Sequence, residues 1–303
     1  MLPIIDAHHH IWRQADLPWL SGPEMPRIFG PYEAIRRDYL IDEFRADLAA
    51  SHVVKSVYVQ ANWPKHLAVE EVAWVQSVAD QHGWPHGIVG YVDLLADNAA
   101  ETLKRQAAHP LLRGVRMQLH WHENPLYRFA CAPDLAAHPA LRKNIRWLAE
   151  YDLPFDLQVF SGQMADAAAL AAANPDITFI LQHAGMLEDR SASGITVWRD
   201  GMQRLADLPN VVNKFSGLGT FIHRNDAQHI EFVVSETLAW FGPERCLFGS
   251  NFPIEKLWTS YGDLVHAHRA AIGSLPDAAQ AMILHDNAAR FYKLDAETLG
   301  STG

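Results

Sequence analysis

The chain has 303 residues and a mass of 34.0 kDa, which is enough for one large domain or for two of ordinary size. Hydrophobic residues make up 49% and charged residues 20%, a composition typical of a folded protein and not of a disordered one. The formal net charge of −10 argues against nucleic acid and anionic membrane as partners, because both attract basic surfaces.

Targeting signals and cysteines restrict the class further. No apolar run approaches the roughly 18 residues that a membrane-spanning helix needs, and the first residues lack the basic start and apolar stretch of a secretory signal. Cys131 and Cys246 are the only cysteines, so the sequence offers neither a thiolate zinc cluster nor a disulfide framework. We therefore expect a cytoplasmic protein.

Short apolar, β-branched runs alternate along the chain with longer stretches of helical pattern. The runs predict eight strands, over Ile4–His8, Val53–Ala61, Gly87–Leu94, Gly114–Leu119, Pro154–Phe160, Thr178–His183, Val211–Ser216 and Cys246–Ser250. Helices are predicted over Ala68–Gln81, Ala99–Ala108, Leu141–Tyr151, Met164–Ala173 and Ile230–Trp240. Strands that are apolar throughout are typical of a parallel sheet buried on both faces.

Eight such units predict a (β/α)₈ barrel, an α/β fold, as a single domain over residues 1–303. An open doubly wound sheet is the alternative, although no Gly-x-Gly-x-x-Gly follows the first strand. Residues 11–47 have no predicted strand and are rich in tryptophan and proline, so we expect an ordered loop insertion over the barrel mouth. Packing against the outer helices is the alternative for this segment.

Polar residues follow the apolar halves of the strands. In such a barrel, side chains at the C-terminal strand ends face the active-site mouth, and alternate residues share a face. This parity groups Asp6, His8 and His10; Gln60 and Asn62; Arg116, Gln118 and His120; Asp156 and Gln158; Lys214 and Ser216; with His183 and Asn251 at the ends of the sixth and eighth strands. These residues are the predicted site.

Each of these residues also has a structural interpretation. Two imidazoles on one face of a buried strand favour a functional role for His8 and His10, whereas His9 has the opposite parity and is read as structural. Gln60, Gln118 and Ser216 are equally consistent with satisfied polar groups at the rim of the core. His120 and His122 follow a strand end, where a ligand pair or a solvated loop is expected.

Lys214 is the most informative of the remaining residues. A lysine inside a barrel mouth is costly unless its ammonium group meets a carboxylate or an anionic ligand.

These motifs resemble the amidohydrolase superfamily, in its lactonase-like group of predicted metal-dependent barrel hydrolases. The resemblance covers roughly residues 3 to 293 and rests on Asp6-Ala-His8-His-His10-Ile-Trp12, Gln182-His183-Ala-Gly185, Lys214-Phe-Ser-Gly-Leu218, Phe248-Gly-Ser-Asn-Phe-Pro253 and Asn287-Ala-Ala-Arg-Phe-Tyr292, in that order. The group includes sugar-acid lactonases, a pyrone dicarboxylate lactonase and a galactarolactone isomerase. The resemblance therefore implies attack on a cyclic ester, within carbohydrate metabolism.

Two positions depart from the superfamily pattern. Asn251 replaces the usual aspartate of the eighth strand, and Gln158 stands where metal-dependent members often supply a ligand. A catalytic zinc site uses three protein ligands and an open position, and an asparagine is a poor ligand and not a base. We expect no cofactor, with a single divalent metal such as zinc on His8, His10 and His183 as the alternative.

The resulting hypothesis is a hydrolase that opens a sugar-acid or dicarboxylate lactone. His8, His10 and His183 donate hydrogen bonds to the oxyanion beside Asn251, and His183 is also the candidate base. Arg116 and Lys214 hold a carboxylate or hydroxylated chain. The remaining substrate contacts are assigned to Gln60, Gln158 and Trp12.

Three other functions stay open at this point. Without a base on the eighth strand, a hydroxyl of the substrate can act as the acceptor, which would make the protein a metal-independent lactone isomerase. A catalytically silent sugar-acid binding protein is the second, and a decarboxylase is the third. The expected partner is a small anionic or hydroxylated lactone, with no nucleic acid and no membrane, and loop aromatics are compatible with a homo-oligomer.

Overall fold

The computed structural model describes residues 2–49 and 51–294, so residues 1, 50 and 295–303 of the predicted domain lie outside the described residues. The strands are β1 (Ile4–His9), β2 (Val53–Val59), β3 (Gly87–Gly90), β4 (Leu112–Val115), β5 (Phe155–Leu157), β6 (Phe179–Leu181), β7 (Val211–Phe215) and β8 (Cys246–Phe248). They form one sheet in chain order, every pair is parallel, and a bridge between His9 and Phe252 joins the first strand to the segment after the last. The predicted single-domain (β/α)₈ barrel is confirmed, because a doubly wound sheet would reverse its strand order at a switch point.

The barrel interior is a small apolar cluster closed by the C-terminal helix. Its members come from the inward faces of the strands and from that helix: Ile5, Ala7, Val57, Val59, Val89, Ile180, Val212, Leu247, Ala288, Ala289 and Tyr292. Burial of one Val, Leu or Ile side chain contributes about 1.5–3 kcal/mol, so this inward apolar pattern favours closure of the sheet.

The helices surround the barrel. They are α1 (Pro18–Ser21), α2 (Ile41–Asp47), α3 (Ala68–His82), α4 (Ala99–Ala107), α5 (Pro139–Asn144), α6 (Trp147–Glu150), α7 (Met164–Ala172), α8 (Ala192–Ala206), α9 (Ala227–Phe241), α10 (Tyr261–Ile272), α11 (Asp277–Ala281) and α12 (Asn287–Phe291). Within residues 2–49 and 51–294, no helix has the length and apolar character needed to cross a bilayer.

Two long helices, α8 and α10, lie outside the segments predicted as helical. Each begins at a serine whose hydroxyl accepts a backbone N–H in the first turn: Ser191 from Gly194 for α8, and Ser260 from Asp263 for α10. The helix predicted over Leu141–Tyr151 is instead divided into α5 and α6. Between them the backbone bonds tighten, because Leu148 donates to the Ile145 carbonyl three residues back.

Most strands are shorter than predicted, so several of the predicted polar residues lie in the turns that follow the strands. Asn62, His183 and Asn251 have φ of +65°, +56° and +59°, so each leaves the extended conformation soon after its strand. These side chains therefore lie in turns above the sheet, where left-handed backbone is tolerated only with support from the surroundings.

The sequence predicted a loop over residues 11–47, but part of this segment has regular structure. Trp12 and Tyr39 exchange two backbone hydrogen bonds of 2.8 and 2.9 Å, and the last seven residues form α2. The helix forms because Phe44 stacks on His9 with 3.8 Å between ring centroids, which buries the apolar face of α2 against β1.

Candidate active site

A cavity of about 320 Å³ opens at the C-terminal ends of the strands. Most of the predicted site residues line it: His10, Trp12, Gln60, Arg116, Gln158, His183 and Asn251. His8 and Lys214 do not. The barrel thus brings together groups from six strand ends, as is usual for this fold, while two of the predicted residues lie behind the cavity wall.

The first strand does not keep the alternation assumed from the sequence. Ile5 and Ala7 point into the barrel interior, and Asp6 instead accepts a hydrogen bond of 3.0 Å from Tyr261 at the start of α10. The register of β1 on β2 shifts between Asp6 and His9. This irregularity lets His8 face inward next to Ala7, so the predicted common face of Asp6 and His8 is wrong.

His8 is a fully buried imidazole behind the cavity. Its ring centroid lies 5.1 Å from that of His10 and 4.9 Å from that of His183. Neither of its ring nitrogens has a hydrogen-bond partner among the described residues. Burial, together with the charge of Lys214, holds the pKa of His8 well below its usual value, so the ring is neutral.

His10 and Asn251 form a hydrogen-bonded pair in the cavity. His10 Nδ1 lies 2.6 Å from the Val59 carbonyl oxygen, and we assign the proton to Nδ1 because a carbonyl only accepts. Burial lowers the pKa of His10 to about 3, and the Asn251 side chain is bonded to its ring. In this tautomer Nε2 has no proton, so His10 is oriented as an acceptor and not as the oxyanion donor expected from sequence.

Behind Asn251 lies a carboxyl group that the sequence analysis did not single out. Glu255 is fully buried and accepts hydrogen bonds from the Asn251 amide and from Trp258 Nε1, the latter at 2.9 Å. Burial raises its pKa to about 8. One indication of this contact was present in the sequence: Glu255 follows Asn251 by four residues, a spacing that brings two side chains together in a helical turn.

His183 has the arrangement of a base. Its Nδ1 lies 3.1 Å from the Ser216 carbonyl oxygen and 3.0 Å from the Ser216 hydroxyl. Both oxygens can accept, so we assign the proton to Nδ1 and the lone pair to Nε2. Burial, with Arg116 and Lys214 nearby, lowers the pKa of His183.

Gly217 makes room for His183. A Cβ at Gly217 would lie 2.6 Å from His183 Nδ1, and φ is +60°, so only glycine fits there without strain.

Arg116 supplies the positive charge of the cavity. It is 3% exposed; Nη2 donates to the Gln60 carbonyl at 2.6 Å and Nη1 to Gln158 Oε1 at 3.5 Å. Its Nε is buried without a partner. Gln118 bridges this set, since its Oε1 accepts from Gln60 Nε2 at 3.3 Å. The guanidinium is therefore held in place and retains hydrogen-bonding capacity for a ligand.

The ammonium group of Lys214 is paired with a carboxylate of the protein, which is one of the two partners that the sequence analysis expected for it. Its ammonium donates to Asp156 Oδ2 at 2.9 Å and to the Tyr292 hydroxyl at 2.6 Å, and Tyr292 donates to Asp156 Oδ1 at 2.7 Å. All three side chains are fully buried. The carboxylate partner accounts for the buried lysine, and Lys214 does not line the cavity, so the predicted contact between Lys214 and substrate is not part of the proposed mechanism.

Loop residues that the sequence analysis did not assign to the site complete the cavity wall. They come from two segments and from the turns after β6 and β7: Pro26, Arg27, Ile28, Phe29, Pro125, Leu126, Tyr127, Arg128, Phe129, Met186, Thr220 and Phe221. His120 also lines the cavity and is 3% exposed, which excludes the solvated alternative for this residue, whereas His122 is half-buried. Burial lowers the pKa of His120 to about 3.

The donor set does not fit a three-ligand zinc centre. Among residues 2–49 and 51–294, no three His, Cys, Asp or Glu side chains are arranged to hold a metal ion. The two unpartnered nitrogens of His8 are donors of the right kind, and Asn251 adds no carboxylate beside them.

The family-model comparison matches a model described as "Amidohydrolase" over residues 5–294. The uncharacterized protein y4mH of Sinorhizobium fredii is 36% identical over 97% of this chain and 99% of its own length. A Burkholderia multivorans protein named L-fucono-1,5-lactonase is 32% identical, covering 96% of each chain. A crystal structure of a Burkholderia multivorans amidohydrolase with bound zinc superposes with a TM-score of 0.80 and 29% identity, over 96% of this chain and 99% of that one. The geometry of the barrel and the extent of these matches lead to one conclusion: the chain belongs to the amidohydrolase family of hydrolases.

Proposed function

We propose that this hydrolase opens a lactone that carries a carboxylate or hydroxyl groups. The observation that carries the proposal is the placement of His183, with its Nε2 lone pair, in the same cavity as the Arg116 guanidinium and the Asn251 amide. The lactonase names of relatives at about 30% identity support the choice of a cyclic ester.

The proposed reaction uses the chain's own groups. Water attacks the lactone carbonyl carbon, its proton passes to His183 Nε2, and Arg116 with the side-chain amides stabilises the oxyanion. Collapse breaks the bond to the ring oxygen, which takes the proton back from His183 and gives the hydroxy acid.

The low pKa of free His183 fits this scheme. Arg116 is a main cause of that low value, after burial. A substrate carboxylate on Arg116 offsets its charge, so we expect the basicity of His183 to rise when an anionic substrate binds. His183 is then a stronger base in the complex with substrate than in the free protein.

Lactone isomerisation is the second candidate, and one observation favours it. Neither Asp nor Glu occurs among the described residues that line the cavity, so no carboxylate base faces the substrate. A substrate hydroxyl held beside the carbonyl needs less activation than water. The variant Asn251→Asp tests this: an unchanged ratio of hydrolysed to rearranged product, followed by NMR, would count against Asn251 as the determinant.

The main experiment is a panel of sugar-acid δ- and γ-lactones, with acid release followed by a pH indicator. The variant is His183→Asn, because asparagine tolerates the left-handed backbone at this position. We expect a fall in kcat of at least about 100-fold. His122→Asn is the matched control, since His122 does not line the cavity, and it should stay within about twofold.

The panel also separates the catalytic proposal from the binding alternative. Absence of acid release across the panel, together with tight binding of the free acids, would favour a binding protein. Equal activity of the two histidine variants would remove His183 from the mechanism.

We propose the cytoplasm as the setting, on the basis of two free thiols and no disulfide among the described residues.

A further inference from the structure

We propose that the mouth of the cavity is a subsite for an apolar substituent, so that the preferred lactone carries an alkyl or aryl group beyond its reacting ring. This inference rests on the proposed lactonase function and specifies its substrate class. It concerns the loop residues and not the strand-end residues that face the reaction.

The cavity has two zones of different chemistry. The side chains from the strand ends are polar: His10, Gln60, Arg116, Gln118, Gln158, His183 and Asn251. The loops contribute a mainly apolar set: Trp12, Pro18, Trp19, Pro26, Ile28, Phe29, Pro125, Leu126, Tyr127, Phe129, Phe221 and Ile254, beside the polar Arg27, Asn62, Arg128 and Thr220. A sugar-acid lactone presents hydroxyl groups on most of its surface, and the second zone offers few partners for them.

One aromatic wall comes from the segment after β1. Trp19 is the centre of this wall, with ring centroids 5.5 Å from Trp12, 6.1 Å from Phe29 and 6.0 Å from Tyr32. Trp19 Nε1 donates to the Ala61 carbonyl at 2.9 Å, so its polar atom is satisfied within the protein. The ring is therefore available to a ligand only as an apolar surface.

A second aromatic wall lies on the turns after β4 and β7. Phe221 packs 5.5 Å from Tyr127 and 5.9 Å from Phe160, and Phe129 stacks on His120 at 5.2 Å, all between ring centroids. Phe129 is 46% exposed and the neighbouring Leu126 is 41% exposed. Exposed apolar side chains at the rim of a cavity are stabilised when a ligand covers them.

The cations near the mouth do not contradict an apolar subsite. Arg128 donates to the carbonyls of its own loop, from Nε to His122 at 3.0 Å and from Nη2 to Glu123 at 2.8 Å. Its guanidinium also lies 4.9 Å from the Trp121 ring. Arg27 lies 5.7 Å from the Trp19 ring. Arg27 contacts a ring of the first wall, whereas Arg128 contacts Trp121, which does not line the cavity. The methylene groups of both arginines add apolar surface at the mouth.

The experiment compares two matched substrates: a hydroxylated δ-lactone, and the same ring with an n-pentyl chain on the carbon that bears the ring oxygen. We expect kcat/KM to be at least about tenfold higher for the pentyl lactone. The variants Phe129→Ala and Phe221→Leu should each lower this ratio severalfold. Phe129 is half-exposed and the second change is conservative, so both variants are expected to fold.

Trp147→Ala is the control variant, because Trp147 is 37% exposed on α6 and does not line the cavity. It should leave the ratio unchanged. Equal kcat/KM for the two lactones, or a ratio that neither phenylalanine variant alters, would overturn the proposal while the lactonase function stands.

A binding measurement tests the subsite even if neither lactone is hydrolysed. Calorimetry with the two corresponding hydroxy acids should give a Kd at least about tenfold lower for the pentyl compound. Equal Kd values would overturn the subsite. Absence of turnover with a large difference in Kd would contradict the proposed function and support the subsite.

Discussion

Lys214 Nζ lies 2.9 Å from Asp156 Oδ2 inside the barrel, and neither side chain has any exposed surface. The pair connects β7 to β5, and the hydroxyl of Tyr292 bonds both members from the C-terminal segment. A charge pair in this position is costly to break, because the partner that is left behind cannot reach water.

Lys214→Met therefore leaves Asp156 as a buried charge with one hydroxyl partner. We expect a loss of about 3–5 kcal/mol in the free energy of unfolding, measured by urea denaturation at pH 7. Lys256→Met is the matched control, since Lys256 binds Glu43 and Asp47 near the surface and should cost less than about 1 kcal/mol. Similar losses for the two lysine variants would contradict the prediction.

The double variant Lys214→Met, Asp156→Leu separates the pair from its surroundings. Removal of both charges should recover much of the loss, because no uncompensated ion remains. A double variant that is less stable than either single variant would show that packing, and not charge, explains the effect.

Arg116→Lys tests recognition of the substrate. Lysine keeps the charge but loses the planar fork, and it cannot bond Gln60, Gln158 and a ligand carboxylate together. We expect kcat/KM to fall about 10–100-fold, mainly through KM. Arg113→Lys on the preceding strand β4 is the control, because Arg113 bonds backbone carbonyls and does not line the cavity.

Glu255 gives the stability of the protein a pH dependence. Burial raises its pKa to about 8, whereas the unfolded chain has the ordinary value of 4.5. Between these values the folded state holds a proton that the unfolded state has released, so rising pH favours unfolding. The contribution of Glu255 is complete below about pH 4.5 and is lost as pH rises to about 8.

Glu255→Gln has no such proton and should lack this decline. We expect the stability of the variant relative to the natural protein to increase by up to about 1.4 kcal/mol per pH unit between pH 6 and 8. Denaturation curves at three pH values measure this. For Glu231→Gln, on the exposed face of α9, the difference in free energy of unfolding from the natural protein should not change with pH. The same constancy for Glu255→Gln would contradict the raised pKa of Glu255.

Gly217→Ala and Gly83→Ala form a matched pair. Both glycines have positive φ, +60° and +70°, so both substitutions carry a backbone cost of about 1–2 kcal/mol. Only at Gly217 does the new Cβ meet another residue, His183 Nδ1 at 2.6 Å. We expect Gly217→Ala to lower kcat at least about tenfold and Gly83→Ala to keep full activity. Equal kcat values would show that His183 tolerates the displacement.

The barrel was predictable from the sequence because its strands are apolar throughout and its polar residues fall at their ends. The parity of β1 was not, since a register shift between Asp6 and His9 leaves no mark on the residue pattern. The contact between Lys214 and Tyr292 could not be predicted from local sequence, because the two residues are 78 positions apart and meet only in the folded chain. Trp12 and Trp19 of the first wall belong to residues 11–47, the segment that the sequence predicted over the barrel mouth. The second wall was not predicted, because single aromatic residues in loops have no periodicity that indicates where they pack.

Asn251→Asp is expected to change the metal affinity of the site. The substitution adds a carboxylate next to His10, which supplies the ligand type that Asn251 lacks. The new group also faces Glu255, and the raised pKa of Glu255 means that its carboxyl is largely protonated at pH 7 and can donate to the new aspartate. Two adjacent charges are thereby avoided, and the variant should fold.

After dialysis against zinc and then against buffer, we expect elemental analysis to find more zinc per chain in the variant than in the natural protein. We also expect the natural protein to keep its turnover after treatment with a chelator. Stoichiometric zinc in the natural protein, with turnover that a chelator abolishes, would overturn the metal-independent mechanism.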